Sequence, residues 1–219
     1  MKYSQKMGGI AALYEAIAYV IGMVVYLVVL DYPNLVEPAQ KLNMFVEYEQ
    51  VLYLMNVLIY VIFGIAMVVL SLALFERLRA GLPFLAQAAT AFGLIWAGLV
   101  IAAGMVANVG TGVVVDLFAT NPAQAETVWG AVEVVYDGLG GGNEIVGGIW
   151  TLLASWAALK TGVLPRFLNY LGIVVGLAGV VSTVPLLAEI GGMVFGLGQI
   201  VWFAWLGVVL LRDSRSQMA

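Results

Sequence analysis

The chain contains no cysteine and no histidine. Without cysteine there is no disulfide and no thiol chemistry, and the redox compartment stays open. Without histidine the usual haem and zinc ligand, the usual general base and the usual pH switch are missing. Bis-histidine haem and a serine–histidine dyad are therefore excluded. Charge is scarce as well, at 10% of residues against about 25% in soluble domains. No Lys or Arg lies in the interior of an apolar run, which excludes retinal attachment and a lysine standing in for the absent histidine. Asp137, in Tyr136-Asp137-Gly138, has no second aspartate within an apolar run, so a pair of facing intramembrane aspartates is not available. The stretch Gly138-Leu139-Gly140-Gly141-Gly142-Asn143-Glu144 lacks the strand–turn–helix setting of a dinucleotide fingerprint. No catalytic set, no metal site and no cofactor is expected, and no nucleic-acid partner. The chain reads as leaning away from an enzyme; an intramembrane enzyme working with carboxylates is a second alternative.

What the chain has in quantity is apolar residues, 63% of 219. A membrane span needs about 20 of them in succession. Six stretches meet that reading, at roughly 9–30, 51–75, 84–109, 143–160, 166–187 and 190–211. The first is basic and then apolar, like a signal peptide. Its apolar part is too long for one, holds Glu15 and shows no small-residue cleavage site, so it reads as a retained helix. The expected fold is an all-α integral membrane protein with six transmembrane helices and short external amphipathic helices, forming a single domain over 1–219.

Basic residues orient it. Lys2, Lys6, Arg77, Arg79, Lys160, Arg166, Arg212 and Arg215 flank one set of span ends, and only Lys41 falls on the other side. That places both termini in the cytoplasm. The opposite side is acidic, with Asp31, Glu37, Glu47, Glu49, Asp116, Glu126, Glu133, Asp137, Glu144 and Glu189. Such acids either solvate loops or form a vestibule that attracts cations. Residues 38–50 bring Leu42, Phe45 and Val46 to one side, as a helix lying in the interface does. Residues 121–137 open with Asn121, Pro122 and Gln124, a helix-start pattern.

Inside the spans, small and polar residues recur at helical spacing. They are Asn56, Tyr60, Gly64 and Ser71; Thr90, Gly93, Gly104 and Asn108; Glu144, Gly148, Thr151 and Ser155; and Asn169, Gly172, Gly176, Gly179 and Thr183. Close helix packing explains any one stripe. Together they imply a bundle with a polar interior. By depth, Asn56, Asn108, Asn143 and Glu144 form an outer tier, and Gln199 lies near mid-membrane. These five are the candidate ligand-binding residues. Glu15 stands about 9 Å inside its helix, counted from Gly9. A charge at a helix centre costs roughly 2.5–3.5 kcal/mol, less nearer the interface. With no cationic partner in a span, Glu15 is either a buried structural carboxyl or a proton or cation site.

Two stretches carry a resemblance. Ala73-Leu74-Phe75-Glu76-Arg77-Leu78 and Gly162-Val163-Leu164-Pro165-Arg166-Phe167-Leu168-Asn169-Tyr170-Leu171-Gly172 resemble domain-of-unknown-function family four-three-eight-six, an uncharacterised group of bacterial membrane proteins. The resemblance extends over most of the chain. It implies a six-helix inner-membrane protein, and it implies no activity and no functional residue. Two function classes follow from the residues. One is binding or transport of a small cation or solute through an outward acidic pocket. The other is an accessory or assembly subunit, a homo-oligomer or partner of another membrane protein. It would dock through the glycines of the last two spans, among them Gly191, Gly192, Gly196 and Gly198. The lipid bilayer is a partner in both.

Overall fold

The computed structural model describes residues 2–141 and 144–216, and every regular element among them is helical. Helix α1 (Lys2–Val24) runs into a π-helical turn (Val25–Val29). After a 3₁₀ turn (Tyr32–Asn34) come α2 (Pro38–Asn56), a second π turn (Val57–Ile62) and α3 (Phe63–Leu78). Then follow α4 (Pro83–Phe118), α5 (Pro122–Tyr136), a third π turn (Asp137–Gly141), α6 (Glu144–Thr161) and α7 (Arg166–Val181). A 3₁₀ turn (Pro185–Leu187) leads into α8 (Ala188–Ser216). Pro38, Pro83 and Pro122 each begin a helix, where a missing N–H costs nothing. The Asn121 side chain accepts a hydrogen bond from Gln124 N at 3.3 Å and caps α5. Gly162, at φ 69°, ends α6 in the left-handed region that suits glycine.

The expectation of six membrane spans is corrected. Among the described residues four helical stretches are long and apolar enough to cross a bilayer: Tyr3–Val29, Pro38–Leu78, Pro83–Phe118 and Pro185–Ser214. The other two fall short for physical reasons. The 16 residues of α7 rise only about 24 Å against a hydrocarbon core of about 30 Å. The 18 residues of α6 reach about 27 Å, and they include Glu144 and Lys160 at the two ends. Residues 38–50 hold a helical segment that a kink at Tyr48 sets off from the rest of α2, with no loop between the two. No Gly or Pro interrupts the chain between Ala39 and Phe63, so they form the start of the 41-residue stretch Pro38–Leu78. The backbone bends there at Tyr48 (φ −114°, ψ 20°). Each spanning stretch leaves large apolar side chains open, for example Val28 at 74%, Ile65 at 55%, Val109 at 62% and Val201 at 55%. Those side chains are the lipid-facing surface of a multi-pass membrane protein.

The chain divides into two compact units. Unit 1 comprises Met1–Ile17, Gly64–Gly98 and Asn143–Ala219. Glycine sets its helix spacing. A Cβ on Gly148 would lie 2.7 Å from Gly176 O, and one on Gly176 would lie 2.7 Å from Gly148 O. A Cβ on Gly9 would lie 3.0 Å from Gly207 O, and one on Gly207 would lie 2.9 Å from Gly9 O. So α6 meets α7, and α1 meets α8, backbone against backbone. The centre of the unit is aromatic. Trp150 and Trp202 meet edge to face at 5.4 Å between ring centroids, and Phe203 lies 5.5 Å from Trp202 and 6.0 Å from Trp150. One end is clasped by Arg77. It donates to Val163 O from Nε (3.1 Å) and Nη2 (2.6 Å), pairs with Asp213, and donates to Gln5 Oε1 at 3.3 Å. Gln5 in turn donates to Ala73 O at 2.8 Å.

Unit 2 comprises Ala18–Phe63 and Leu99–Gly142. Its core gathers Leu30, Leu42, Phe45, Leu52, Val114, Ala125 and Trp129. Phe45 and Trp129 are 4.2 Å apart between ring centroids. Lys41, the one basic residue out of line with the orientation pattern, pairs with Glu133 at 2.7 Å and ties the start of α2 to α5.

The glycine contacts give a direct stability prediction. Gly176→Val drives a branched side chain into Gly148 O and Leu152 N, both 2.7 Å from an added Cβ. It should cost about 1–3 kcal/mol, as overpacking does, seen as a lower thermal unfolding midpoint in detergent.

Candidate functional site

In unit 2 a chain of hydrogen bonds links three helices. Tyr26 OH donates to Asn56 Oδ1 at 3.0 Å, Asn56 Nδ2 donates to Asn108 Oδ1 at 3.0 Å, and Asn108 Nδ2 donates to Tyr53 O at 3.4 Å. The direction follows from the last acceptor. A carbonyl only accepts, so Asn108 must present its NH₂ to Tyr53 and its oxygen to Asn56. Asn56 then presents its own NH₂ to Asn108 and its oxygen to Tyr26, whose hydroxyl has to be the donor. Both amides are buried, at 3% and 8% exposure.

The π turns lie where this network is built. Tyr26 is in the first, Asn56 directly precedes the second, and Tyr60 is within it. The Tyr60 hydroxyl meets the hydroxyl of Tyr136, directly before the third, and the rings meet edge to face at 5.8 Å. A π turn carries one residue more than an α turn and redirects the side chains around it, which is why such turns occur at functional sites. Gly104 makes room, since any Cβ there would meet the side chain of Tyr60.

Beside the amide pair opens a cleft of about 410 Å³, lined by Glu49, Gln50, Tyr53, Asn108, Thr111 and Gly112. It holds one carboxylate, two amides and two hydroxyls, and no basic side chain. Nearby, Glu133 accepts from both Tyr32 OH (3.1 Å) and Lys41 Nζ (2.7 Å). Burial, and then the Glu133 carboxylate, hold the Tyr32 phenol above its ordinary range. Burial raises the Tyr136 phenol too, against a lowering by its Tyr60 contact. Asp137 is raised by burial and by Glu133, with Lys41 opposing. Among the described residues no three acidic side chains gather as a metal site would require.

The candidate residues thus separate. Asn56 and Asn108 are in direct contact in unit 2. Gln199 and Glu144 belong to unit 1. Gln199 is fully buried in α8 and donates to Thr151 Oγ1 at 2.6 Å. Glu144 is half-buried at the start of α6, with Oε1 3.9 Å from where a Cβ on Gly192 would stand. Burial raises its carboxyl above the usual range. Asn143 lies outside the described residues. Glu15, in unit 1, is fully buried, and neither of its carboxyl oxygens has a hydrogen-bond partner. It lies on the α1 stripe of Gly8, Ala11, Ala12 and Ala16, all buried and small.

Sequence reasoning passed over Tyr26, Tyr53 and Thr111, and it held Glu49 only as one acid among the external ones. Tyrosines near span ends read as ordinary boundary residues, and only their convergence sets them apart. Tyr60 stood on the stripe of Asn56, and that spacing was the available signal.

The family model described as Domain of unknown function (DUF4386) matches residues 7–209. The chain belongs to this family. No curated protein and no solved structure matches it. For this DUF4386 member the two stretches that carried the resemblance prove to be joined in space, because Arg77 of the first donates to the Val163 carbonyl of the second.

The amide chain predicts coupling. Asn108→Leu strands the Asn56 NH₂ and should cost about 1–3 kcal/mol. Asn56→Leu and Asn108→Leu together should cost less than the sum of the two single changes. The coupling expected of a hydrogen bond between membrane helices averages about 0.6 kcal/mol, and a double-mutant cycle of unfolding measures it.

Proposed function

We propose that this membrane protein binds a small cation or small hydrogen-bonding solute in the cleft of unit 2, as a binding or transport protein of the bacterial cytoplasmic membrane. The observation that carries the reading is the cleft itself, with Glu49 as the one carboxylate among its described lining residues and Asn108 on its wall. Its volume is in the range of small-ligand sites, about 300–1,000 Å³. Glu49 is exposed, so it supplies attraction rather than a buried charge. Asn108, Thr111 and Tyr53 supply orientation. Asn56 acts behind Asn108 by holding it in one direction.

The competing reading, docking through glycines of the last helices, has less support. Gly172, Gly176, Gly179, Gly191 and Gly198 each face atoms of unit 1 that an added Cβ would strike. Those glycines are used within the unit, which leaves Gly192, where an added Cβ would meet only Glu144 Oε1 at 3.9 Å, and Gly196, with nothing within 4 Å.

Calorimetric titration of the purified protein with small organic amines tests the cleft. Glu49→Gln should weaken binding of a cationic amine by about tenfold, the size of one lost charge interaction of roughly 1.4 kcal/mol. A neutral isostere should bind equally to both forms. Equal binding of the amine to wild type and Glu49→Gln counts against the reading.

A second reading attaches to Glu15, because a fully buried carboxyl with both oxygens unpartnered is available to a proton or cation. A lipid-soluble carbodiimide reacts with carboxyls in their acid form. It should label Glu15, and Glu15→Gln should abolish the label. Labelling that persists in the variant, or never occurs, removes Glu15 from consideration.

A further inference from the structure

Unit 1 encloses a row of polar groups that neither the cleft nor the Arg77 clasp uses. At its first rung Thr151 Oγ1 donates to Gly147 O at 2.8 Å. Its proton is thereby committed, so Gln199 must approach it with Nε2, at 2.6 Å. The Gln199 carbonyl oxygen is left without a donor. One helical turn along α6, Ser155 Oγ and Trp202 Nε1 converge on Gly172, where any Cβ would collide with both. Neither has a hydrogen-bond partner. One turn back along α7, Asn169 Nδ2 donates to Leu164 O at 3.2 Å, which turns its Oδ1 away, also unpartnered. All these side chains are at most 1% exposed. Buried polar atoms are almost always satisfied by protein or by a bound molecule, and four orphans on three successive turns call for an occupant.

The arrangement occurs twice. Gly93 of α4 faces Ser71 Oγ of α3 and Trp150 Nε1 of α6, and a Cβ there would strike both. Ser71 Oγ is again unpartnered and buried. In both places a serine hydroxyl and an indole N–H close in over a glycine, the one residue that leaves them room to do so.

We propose that α6, α7 and α8 hold an uncharged hydrogen-bonding ligand in the row running from Thr151 and Gln199 past Ser155 and Trp202 to Asn169. The chemistry of the lining specifies it. Gln199 Oε1 and Asn169 Oδ1 require donors, Trp202 Nε1 requires an acceptor, and Ser155 can serve as either. A hydroxyl or water meets all of these demands, whereas a ligand with acceptors only would leave both amide oxygens empty. The row contains no Asp, Glu, Lys or Arg, and the nearest acid on α6, Glu144, is seven residues before Thr151, about 10 Å by helical rise. The residues of the row themselves offer a charged ligand no counter-charge. The occupant is therefore water or the hydroxyl groups of a small neutral solute.

The sign of a stability change tests it on the full chain in lipid nanodiscs. Ser155→Ala and Trp202→Phe each delete one hydrogen-bonding group. If the row is occupied, each deletion strips the ligand of a partner and lowers the unfolding midpoint, by about 2–4 °C for a chain of this size. If the row is empty, deleting an unsatisfied buried group raises the midpoint. A raised midpoint in either variant overturns the proposal. Added glycerol separates the two sources. A rise larger in wild type than in Ser155→Ala identifies a neutral solute, and an equal rise in both, with the midpoint of Ser155→Ala still lowered, identifies water. None of these readouts involves Glu49, so failure here and failure of the cleft reading are independent.

Discussion

Hydrocarbon offers no hydrogen-bond partner, so a polar side chain sent into it has to be answered by the protein. That constraint organises both units. In unit 2 it lines up Tyr26, Asn56, Asn108 and the Tyr53 carbonyl into a chain in which each donor has one acceptor. In unit 1 it pairs Gln199 with Thr151. Glycine makes the second case possible, because α6 and α7 approach until the backbones of Gly148 and Gly176 touch. At that distance short side chains such as Thr151 and Ser155 reach the neighbouring helices, and longer ones would not fit.

The clasp at the end of unit 1 shows a charge with two roles. Arg77 belongs to the pattern of basic residues that orients the chain in the membrane. It also gathers the carbonyl of Val163, the carboxylate of Asp213 and the amide of Gln5. Val163 follows Gly162, whose positive φ turns the chain out of α6. One guanidinium thus holds together a helix end, a glycine turn and two further helices. Lysine, with a point charge in place of a planar fork, could not reproduce that set.

Much of this was legible beforehand, for reasons that differ by residue. Apolar length and scarce charge mark a membrane protein whatever the details. The Asn121–Pro122–Gln124 start of α5 reads directly, because a cap depends on neighbours in sequence. Asn56 and Asn108 were placed at one depth by counting residues, and the structure joins them. Counting failed where a helix was only marginally long: α6 and α7 look like spans by hydropathy, yet rise too little or carry charge at both ends. At residues 38–50 the amphipathic pattern marks a helical segment, and the kink at Tyr48 is what separates it from the apolar helix that follows. The cleft was invisible for another reason. Glu49 and Tyr53 are one turn apart on α2, but Asn108 and Thr111 come from α4, and no local pattern announces that the two faces part.

The π turns have a consequence for how such a site arises. Each contains one backbone residue more than the helix needs, inserted without breaking it. In a regular helix, one residue turns everything beyond it by about 100°. A π turn absorbs that rotation, so excising a single residue from Val57–Ile62 would close it into ordinary α geometry with both flanks nearly in phase, and would move Tyr60, within the turn, away from Tyr136. A protein of this kind can gain or lose such a polar contact by one codon, while its fit to the membrane stays the same.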